Sequence, residues 1–286
     1  MKRLPSYDAL VLEGGSLRCA FTAGVLDAFA AINYRPFGHY YGVSAGSMAM
    51  ISFLSGQRGH FIQLSEKLVE DGKFISFSSV MSDEGLMNLA HLAKEVSATS
   101  PIDWEAMHKF IEGKHVHVVT TDFETGAANY LKPNKENWMR AVLASSTLPL
   151  ITRGKVKLDG KWMFDGGYAD PIPLQAAIDN GCSKVLVVRT RPVAERVERD
   201  TWDWLASYLF RDNVAVSKLF ESWHLRYNAL VSHLASESHS DAQSWSQIAP
   251  SQPLRSDGFR ITALDLRADY RHGLEQCMEW IDRQEE

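Results

Sequence analysis

The sequence lacks the features that would mark a disulfide-bonded, membrane-spanning or nucleic-acid-binding chain. Its three cysteines, Cys19, Cys182 and Cys277, lie far apart with no C-x-x-C spacing, so neither a disulfide framework nor a zinc site is suggested. No apolar run approaches the ~18 residues needed to span a bilayer. Residues 1–8 lack the long apolar core of a signal peptide and run straight into an expected strand. The expected location is cytoplasmic, with peripheral membrane contact at most. The net charge of −5 comes without any basic run interleaved with aromatics, which gives no reason to expect a nucleic-acid partner. No internal repeat or low-complexity linker interrupts the chain. What is present is ordinary: 286 residues, 45% hydrophobic and 23% charged, enough for one large domain with a full core and an appendage.

The most informative stretch is Gly42-Val43-Ser44-Ala45-Gly46. It has the form G-x-S-x-G, in which a serine sits on a tight strand-to-helix turn and small flanking residues avoid a clash. His39-Tyr40-Tyr41 before it reads as a strand, and residues 47–54 after it read as a helix that Gly56 stops. A serine there lies beside a helix N-terminus, which favours the negative charge that builds during acyl transfer. A plain glycine-rich turn is the competing reading, because the motif also arises by chance.

Residues 9–12 form a continuous apolar run, as expected of a buried parallel strand. The run breaks into Glu13-Gly14-Gly15-Ser16-Leu17-Arg18, and a helix follows with Phe21, Val25, Phe29 and Ile32 on one face. Strand, glycine turn, helix is an arrangement that presents backbone N–H groups to an anion. The turn lacks the Gly-Lys-Ser/Thr ending of a nucleotide-phosphate loop and does not match G-x-G-x-x-G. An oxyanion hole remains. Further on, residues 155–164 read as a hairpin turning at Asp159-Gly160, and they deliver Asp165-Gly166-Gly167 at a strand end. A carboxylate followed by two glycines allows another backbone or a ligand to come close, although Asp-Gly is also common in simple turns.

Elsewhere the pattern gives scaffold. Strands are expected at residues 116–121, 129–131 and 184–189, and helices at 61–69, 86–96, 138–146 and 171–180. This alternation implies a mainly parallel sheet covered on both faces. Leu86, Leu89, Ala90 and Ala93 are expected to form one core stripe. His115 and His117 share a strand face, read as solvated because no third metal ligand lies near. From residue 192 the character changes, and five of the eight tryptophans fall in this last third. A long helix is expected at 214–235, a loop at 236–246, a strand at 259–264 and a final helix thereafter. Such aromatic helices would either pack on the main domain or form a lid or bilayer-contacting face.

Glu13-Gly14-Gly15-x-x-Arg18, Gly42-x-Ser44-x-Gly46 and Asp165-Gly166-Gly167, in that order and spacing, resemble the patatin-like phospholipases. The connecting blocks agree: Thr120-Thr121-Asp122-Phe123-Glu124-Thr125-Gly126, Ala144-Ser145-Ser146-x-x-Pro149 and Asp170-Pro171-Ile172-Pro173. The resemblance covers residues 8–190. The remainder is similar to the C-terminal extension of a bacterial branch, through Arg226-Tyr227-Asn228 and Tyr270-Arg271-His272-Gly273.

The resemblance implies a three-layer α/β/α fold with a mainly parallel central sheet, here residues 1–191, and a mostly helical C-terminal extension, residues 192–286, packed on it. It also implies a Ser–Asp dyad, with Ser44 as nucleophile and Asp165 as base. Gly14, Gly15, Ser16 and Arg18 would form the oxyanion turn, with Gly42, Gly46, Gly166 and Gly167 as motif glycines. Neither cofactor nor metal is expected. The expected partner is an acyl-lipid substrate, with transient contact at a membrane surface and the oligomeric state left open. The chain departs from the family's Gly-Gly-Gly-x-Arg-Gly turn at Ser16 and Cys19, and a left-handed serine there would cost ~1–3 kcal/mol. Three functions stay open: a lipid acyl hydrolase, a small-substrate esterase or thioesterase, and a lipid- or protein-binding homologue weakened by its altered turn.

Overall fold

Strand β1 (Ala9–Leu12) is buried at all four positions and lies between β2 (His39–Val43) and β7 (Lys184–Val188), parallel to both. The computed structural model describes residues 4–72, 74, 88–149, 151–152, 154–236, 243–258 and 260–285. The sheet is completed by β3 (His115–Asp122), β4 (Ala128–Leu131), β5 (Val156–Leu158), β6 (Lys161–Asp165) and β8 (Ser244–Ile248). Its order is β5-β6-β3-β2-β1-β7-β8, with β4 paired to β3. Strands β1, β2, β3, β7 and β8 run parallel, and β4, β5 and β6 are antiparallel additions at one side.

Alternate residues of a strand face opposite ways, and the two cores follow that alternation. Leu10, Leu12 and Tyr40 belong to a core with α1 (Cys19–Ala31), α2 (Ala45–Leu54), α3 (His60–Glu70), α4 (Leu89–Ala98), α5 (Trp104–Phe110) and α6 (Trp138–Ser145). Ala9, Val11 and Tyr41 belong to another, with α7 (Leu174–Asp179) and α9 (Val214–Ala235). The layered α/β/α architecture follows. Between these, α8 (Thr201–Leu209) packs on α9, and Phe164, Ala206, Val216 and Phe220 form a smaller cluster beneath it.

The final helix, α10 (Ala263–Glu285), crosses α1 at very short range. A Cβ added at Gly24 would lie 2.0 Å from the Tyr270 carbonyl oxygen, and one at Gly273 would lie 2.1 Å from that of Phe21. Glycines facing each other let two backbones touch where any side chain would hold them apart.

Four local expectations need correction. Residues 244–248, expected to be mostly loop, form β8. Their polar sequence hides a strand because pairing with β7 is a backbone matter, while Trp245 and Ile248 fill the core. The strand expected at 259–264 is absent from its described residues. Thr262 and Asp265 instead form a reciprocal cap, Asp265 N–H to Thr262 Oγ1 and Thr262 N–H to Asp265 Oδ2, which starts α10. His117 is buried rather than solvated: Tyr41 stacks on it at 4.5 Å, and burial pushes its imidazole down to about 4. On α4 the buried positions are Leu92 and Val96, with Ala90 exposed. Leu86, from the expected stripe, lies outside the described residues.

Candidate active site

Ser44 occupies the turn between β2 and α2 with φ 52° and ψ −132°, a region that costs a non-glycine residue of order 1–3 kcal/mol. The surrounding backbone enforces the geometry. Added Cβ atoms would sit 2.7 Å from Ser47 Cα at Gly42, 2.7 Å from the Glu13 oxygen at Gly46 and 2.9 Å from Ser44 Cβ at Gly14. The glycines are needed because the elbow and the Gly14 turn press directly on each other. The Ser44 N–H donates to Ser145 Oγ at 2.8 Å, and Ser145 Oγ donates in turn to the Val119 carbonyl at 2.5 Å. Ser47, the neighbouring hydroxyl, is buried and donates to the Ser44 carbonyl at 2.6 Å.

Asp165 reaches Ser44 because of how β3 is shared. One edge of β3 carries β4 over residues 118–121. The other edge carries β2 as far as the pair Val43–Val119, and then β6 from the pair Asp165–Thr120. Ser44 and Asp165 therefore meet end to end along one strand edge. Ser44 Oγ donates to Asp165 Oδ2 at 2.6 Å, and Asp165 Oδ1 accepts the Gly167 N–H at 2.7 Å. Thr121 Oγ1 donates to the Asp165 carbonyl at 2.7 Å. A Cβ at Gly166 would lie 2.2 Å from the Val119 oxygen, so only glycine allows this junction. Asp165 is 4% exposed. Burial pushes its carboxyl up to about 7, against the smaller opposing pull of its bonds from Ser44 and Gly167.

The glycine turn lies against the elbow. Among the described residues, no acceptor takes the N–H groups of Gly14, Gly15 or Ser16. Ser16 has φ 52°, so the serine adopts the left-handed conformation that glycine adopts freely. The turn is held from below by Glu13, which accepts the Thr190 N–H at 2.7 Å and the Tyr227 hydroxyl at 2.5 Å. Thr190 Oγ1 donates to the Gly14 carbonyl at 2.7 Å. The Arg18 guanidinium lies alongside Gly15 and pairs with Asp257 at 2.6 Å. Cys19 is fully buried and its Sγ lies 3.7 Å from the Glu13 carbonyl. Burial pushes its thiol up to about 12, which leaves it an unreactive packing group.

Ser44, Asp165 and the turn line one cavity of about 310 Å³. Part of its wall is apolar, with Met48 of α2, Phe61, Leu64 and Leu68 of α3, and Leu92 of α4. Arg18, Arg191, Asp200 and Asp203 line it as well. Asp200 caps α8 through the Asp203 N–H at 2.7 Å. Burial, then the Asp200 charge, push the Asp203 carboxyl up to about 6. Among the described residues, no histidine lines the cavity. His224 and His233 lie on α9 and His272 on α10, and His239 is outside the described residues. Asp71, His91 and Glu95 bring ligand atoms within 4.8 Å of one another. None of the three lines the cavity, and His91 is already bonded to Asp71 at 2.5 Å and Glu95 to Lys67 at 2.6 Å.

Sequence reading missed several parts of this site. Ser145 sits within a recognised block, but its bond to the Ser44 N–H had no signal of its own. Trp223 shows nothing in sequence beyond its place on an aromatic helix, and Tyr227 and Arg226 nothing beyond their place in the Arg226-Tyr227-Asn228 block. In the structure the Trp223 indole donates to the Gly167 carbonyl at 2.7 Å, fixing the turn after Asp165. Arg226 donates to the Tyr168 carbonyl at 2.6 Å. A regular spacing of large polar-tipped residues along α9 was the available clue. Asp257 had none.

The fold and site define a class: a three-layer α/β/α protein with an elbow serine bonded to a buried carboxylate beside a glycine turn. The sequence model of the patatin-like phospholipase family matches residues 10–178, and the chain belongs to that family, whose members act on lipid esters. It is 33% identical over 189 residues to the uncharacterized protein YjjU of Escherichia coli (strain K12). That match takes in 66% of this chain and 53% of YjjU, so the chain spans about half the length of that relative. The crystal structure of VipD from Legionella pneumophila aligns with 98% of this chain and 67% of its own, with a TM-score of 0.51 at 13% identity. At that identity the likeness concerns the fold alone.

Proposed function

We propose that the chain is a serine acyl hydrolase that cleaves carboxylic ester bonds of phospholipids or related acyl lipids, with Ser44 as nucleophile and Asp165 as base. The observation that carries this reading is the 2.6 Å contact between Ser44 Oγ and Asp165 Oδ2, facing an open cavity. Ser44 Oγ attacks the ester carbonyl as its proton passes to Asp165 Oδ2. The oxyanion meets the N–H groups of the Gly14–Ser16 turn, with the Arg18 charge behind them. Removing such donors costs a few kcal/mol, about 10²–10³ in rate. Collapse expels the alcohol, which takes the proton from Asp165. Water then attacks the acyl-serine, with Asp165 again accepting the proton, and collapse of that second intermediate releases the acid as the proton returns to Ser44 Oγ. These steps require no cofactor.

The apolar part of the cavity wall favours an acyl chain over a small soluble ester, because its leucines and phenylalanines offer no polar partner. The reading assigns the chemistry to residues 1–191 and an appended role to 192–286, which contribute Trp223, Tyr227 and Asp203 to the cavity wall. A fluorophosphonate probe and a panel of phospholipids and short-chain esters test it, with Ser44→Ala as control. Labelling and turnover that vanish in the variant support the reading. Turnover undiminished in Ser44→Ala sinks it. A second reading, a binding homologue without turnover, is favoured by one observation, the strained Ser16. It predicts an intact fold that no probe labels.

A further inference from the structure

We infer that the outer face of α8, together with the β5–β6 hairpin, docks on the headgroup layer of a phospholipid bilayer and presents the cavity mouth to it. The inference rests on the lipid-hydrolase reading for its purpose but not for its test. Trp204, Tyr208 and Leu209 project from α8 at 54%, 54% and 52% exposure, and Val214 follows at 61% where α9 begins. Trp204 and Tyr208 stack with centroids 6.1 Å apart. Large apolar groups gathered in this way mark a surface that water does not cover in use.

The patch continues onto the hairpin. Phe210, between α8 and α9, packs on Phe123 at 5.7 Å. Lys155 Nζ lies 3.7 Å from the centroid of the Phe123 ring and 5.1 Å from that of Trp162, a hairpin residue that is itself 39% exposed. Lys157 approaches the same indole at 5.7 Å, and the Arg211 guanidinium sits 4.6 Å over the Tyr208 ring. Rings with cations beside them suit the bilayer interface, where rings settle at headgroup depth and Lys or Arg meets phosphates. An interface with a second protein is the rival occupant. Such interfaces are depleted in lysine at their centre, whereas lysines lie within this patch.

Position decides the purpose. On α8, Asp203 faces inward and lines the cavity while Trp204, the next residue, faces out. Asp200 is both exposed and part of the cavity lining, so the cavity opens at the start of this helix. A lipid leaving the headgroup layer would have only the width of α8 to cross.

The test uses the full chain carrying Ser44→Ala, so that binding is read without turnover. Co-sedimentation is measured with vesicles of phosphatidylcholine alone and of phosphatidylcholine with phosphatidylglycerol. Trp204→Ser with Leu209→Ser should lower vesicle partitioning at least tenfold. Lys155→Gln with Lys157→Gln should remove most of the gain given by phosphatidylglycerol. Leu264→Ser supplies the control, because Leu264 is 73% exposed on α10 and outside the patch. Binding unchanged by the Trp204 pair, or lowered equally by Leu264→Ser, overturns the inference. A dimer of the wild-type chain that the Trp204 pair converts to monomer also overturns it, in favour of a second copy. Thermal unfolding of each variant checks that the fold is kept. Failure of the hydrolase reading would appear separately, as absent probe labelling of the wild-type chain.

Discussion

The guanidinium of Arg18 meets the carboxylate of Asp257 at 2.6 Å across 239 positions of sequence. Asp257 lies in a loop fastened to α10: Asp269 accepts the Ser256 N–H at 2.7 Å and the Arg255 N–H at 3.0 Å. The end of the chain therefore positions the cation beside the glycine turn at its beginning.

From this pairing, Asp257→Asn should lower kcat about tenfold with little change in KM, and Asp257→Glu should restore part of the loss. The pair is half exposed on the Asp257 side, so its contribution to stability is at most about 1 kcal/mol. Thermal unfolding should hardly move. Steady-state kinetics with a short-chain ester checks the split; a change in KM alone would assign Arg18 to substrate binding.

On the proposed dyad, Asp165 would set the pH behaviour. With its carboxyl pushed up to about 7, turnover should fall as pH drops through that value, because only the carboxylate can accept the serine proton. Asp165→Asn should lose at least ~10³ in kcat, the scale of a lost catalytic base. His224→Ala, His233→Ala, His239→Ala and His272→Ala should each keep most activity. The same shift acts on stability with a definite sign. The folded state holds the proton more tightly than the unfolded chain, so the carboxyl costs stability progressively as pH rises from about 4 to about 7. Asp165→Asn should remove that cost and unfold at a higher temperature than the wild type at neutral pH, which scanning calorimetry would register.

Ser16 holds φ 52° without a glycine's freedom. Ser16→Gly should stabilise the fold by up to ~1 kcal/mol, the left-handed penalty less the entropy a glycine loses. Chemical denaturation measures this. A large rise in kcat as well would mean that the serine side chain displaces the oxyanion donors.

Gly273→Ala should destabilise by about 1–3 kcal/mol or more, because its Cβ would lie 2.1 Å from the Phe21 carbonyl and the helices must separate. Urea unfolding midpoints would report it. An unchanged midpoint would mean that α10 shifts freely on α1.

Much of the fold is legible locally. The runs at β1 and β7 are buried on both faces and so read as unbroken apolar stretches. The long helix α9 shows its bounds through Asn213, whose side chain accepts the Val216 N–H at 3.1 Å. By contrast β8 pairs through its backbone, which leaves no mark on side-chain pattern. The start of α10 depends on a Thr–Asp cap that looks like any polar turn.

For the site, the sequence by itself determined the pieces: an elbow serine between glycines, a glycine turn before a helix, and an Asp-Gly-Gly at a strand end. Short-range sterics fix these, since only glycine tolerates the backbone approaches at Gly42, Gly46 and Gly166. Only the tertiary structure decided that they converge. Ser44 and Asp165, 121 positions apart, meet because β2 and β6 take successive lengths of one edge of β3, and such pairing is chosen by strand order rather than by either segment. The same holds for Ser145, Trp223 and Asp257. Each acts through a hydrogen bond or ion pair whose partner lies 56 or more positions away, and a lone polar group carries no record in sequence of which distant atom will satisfy it.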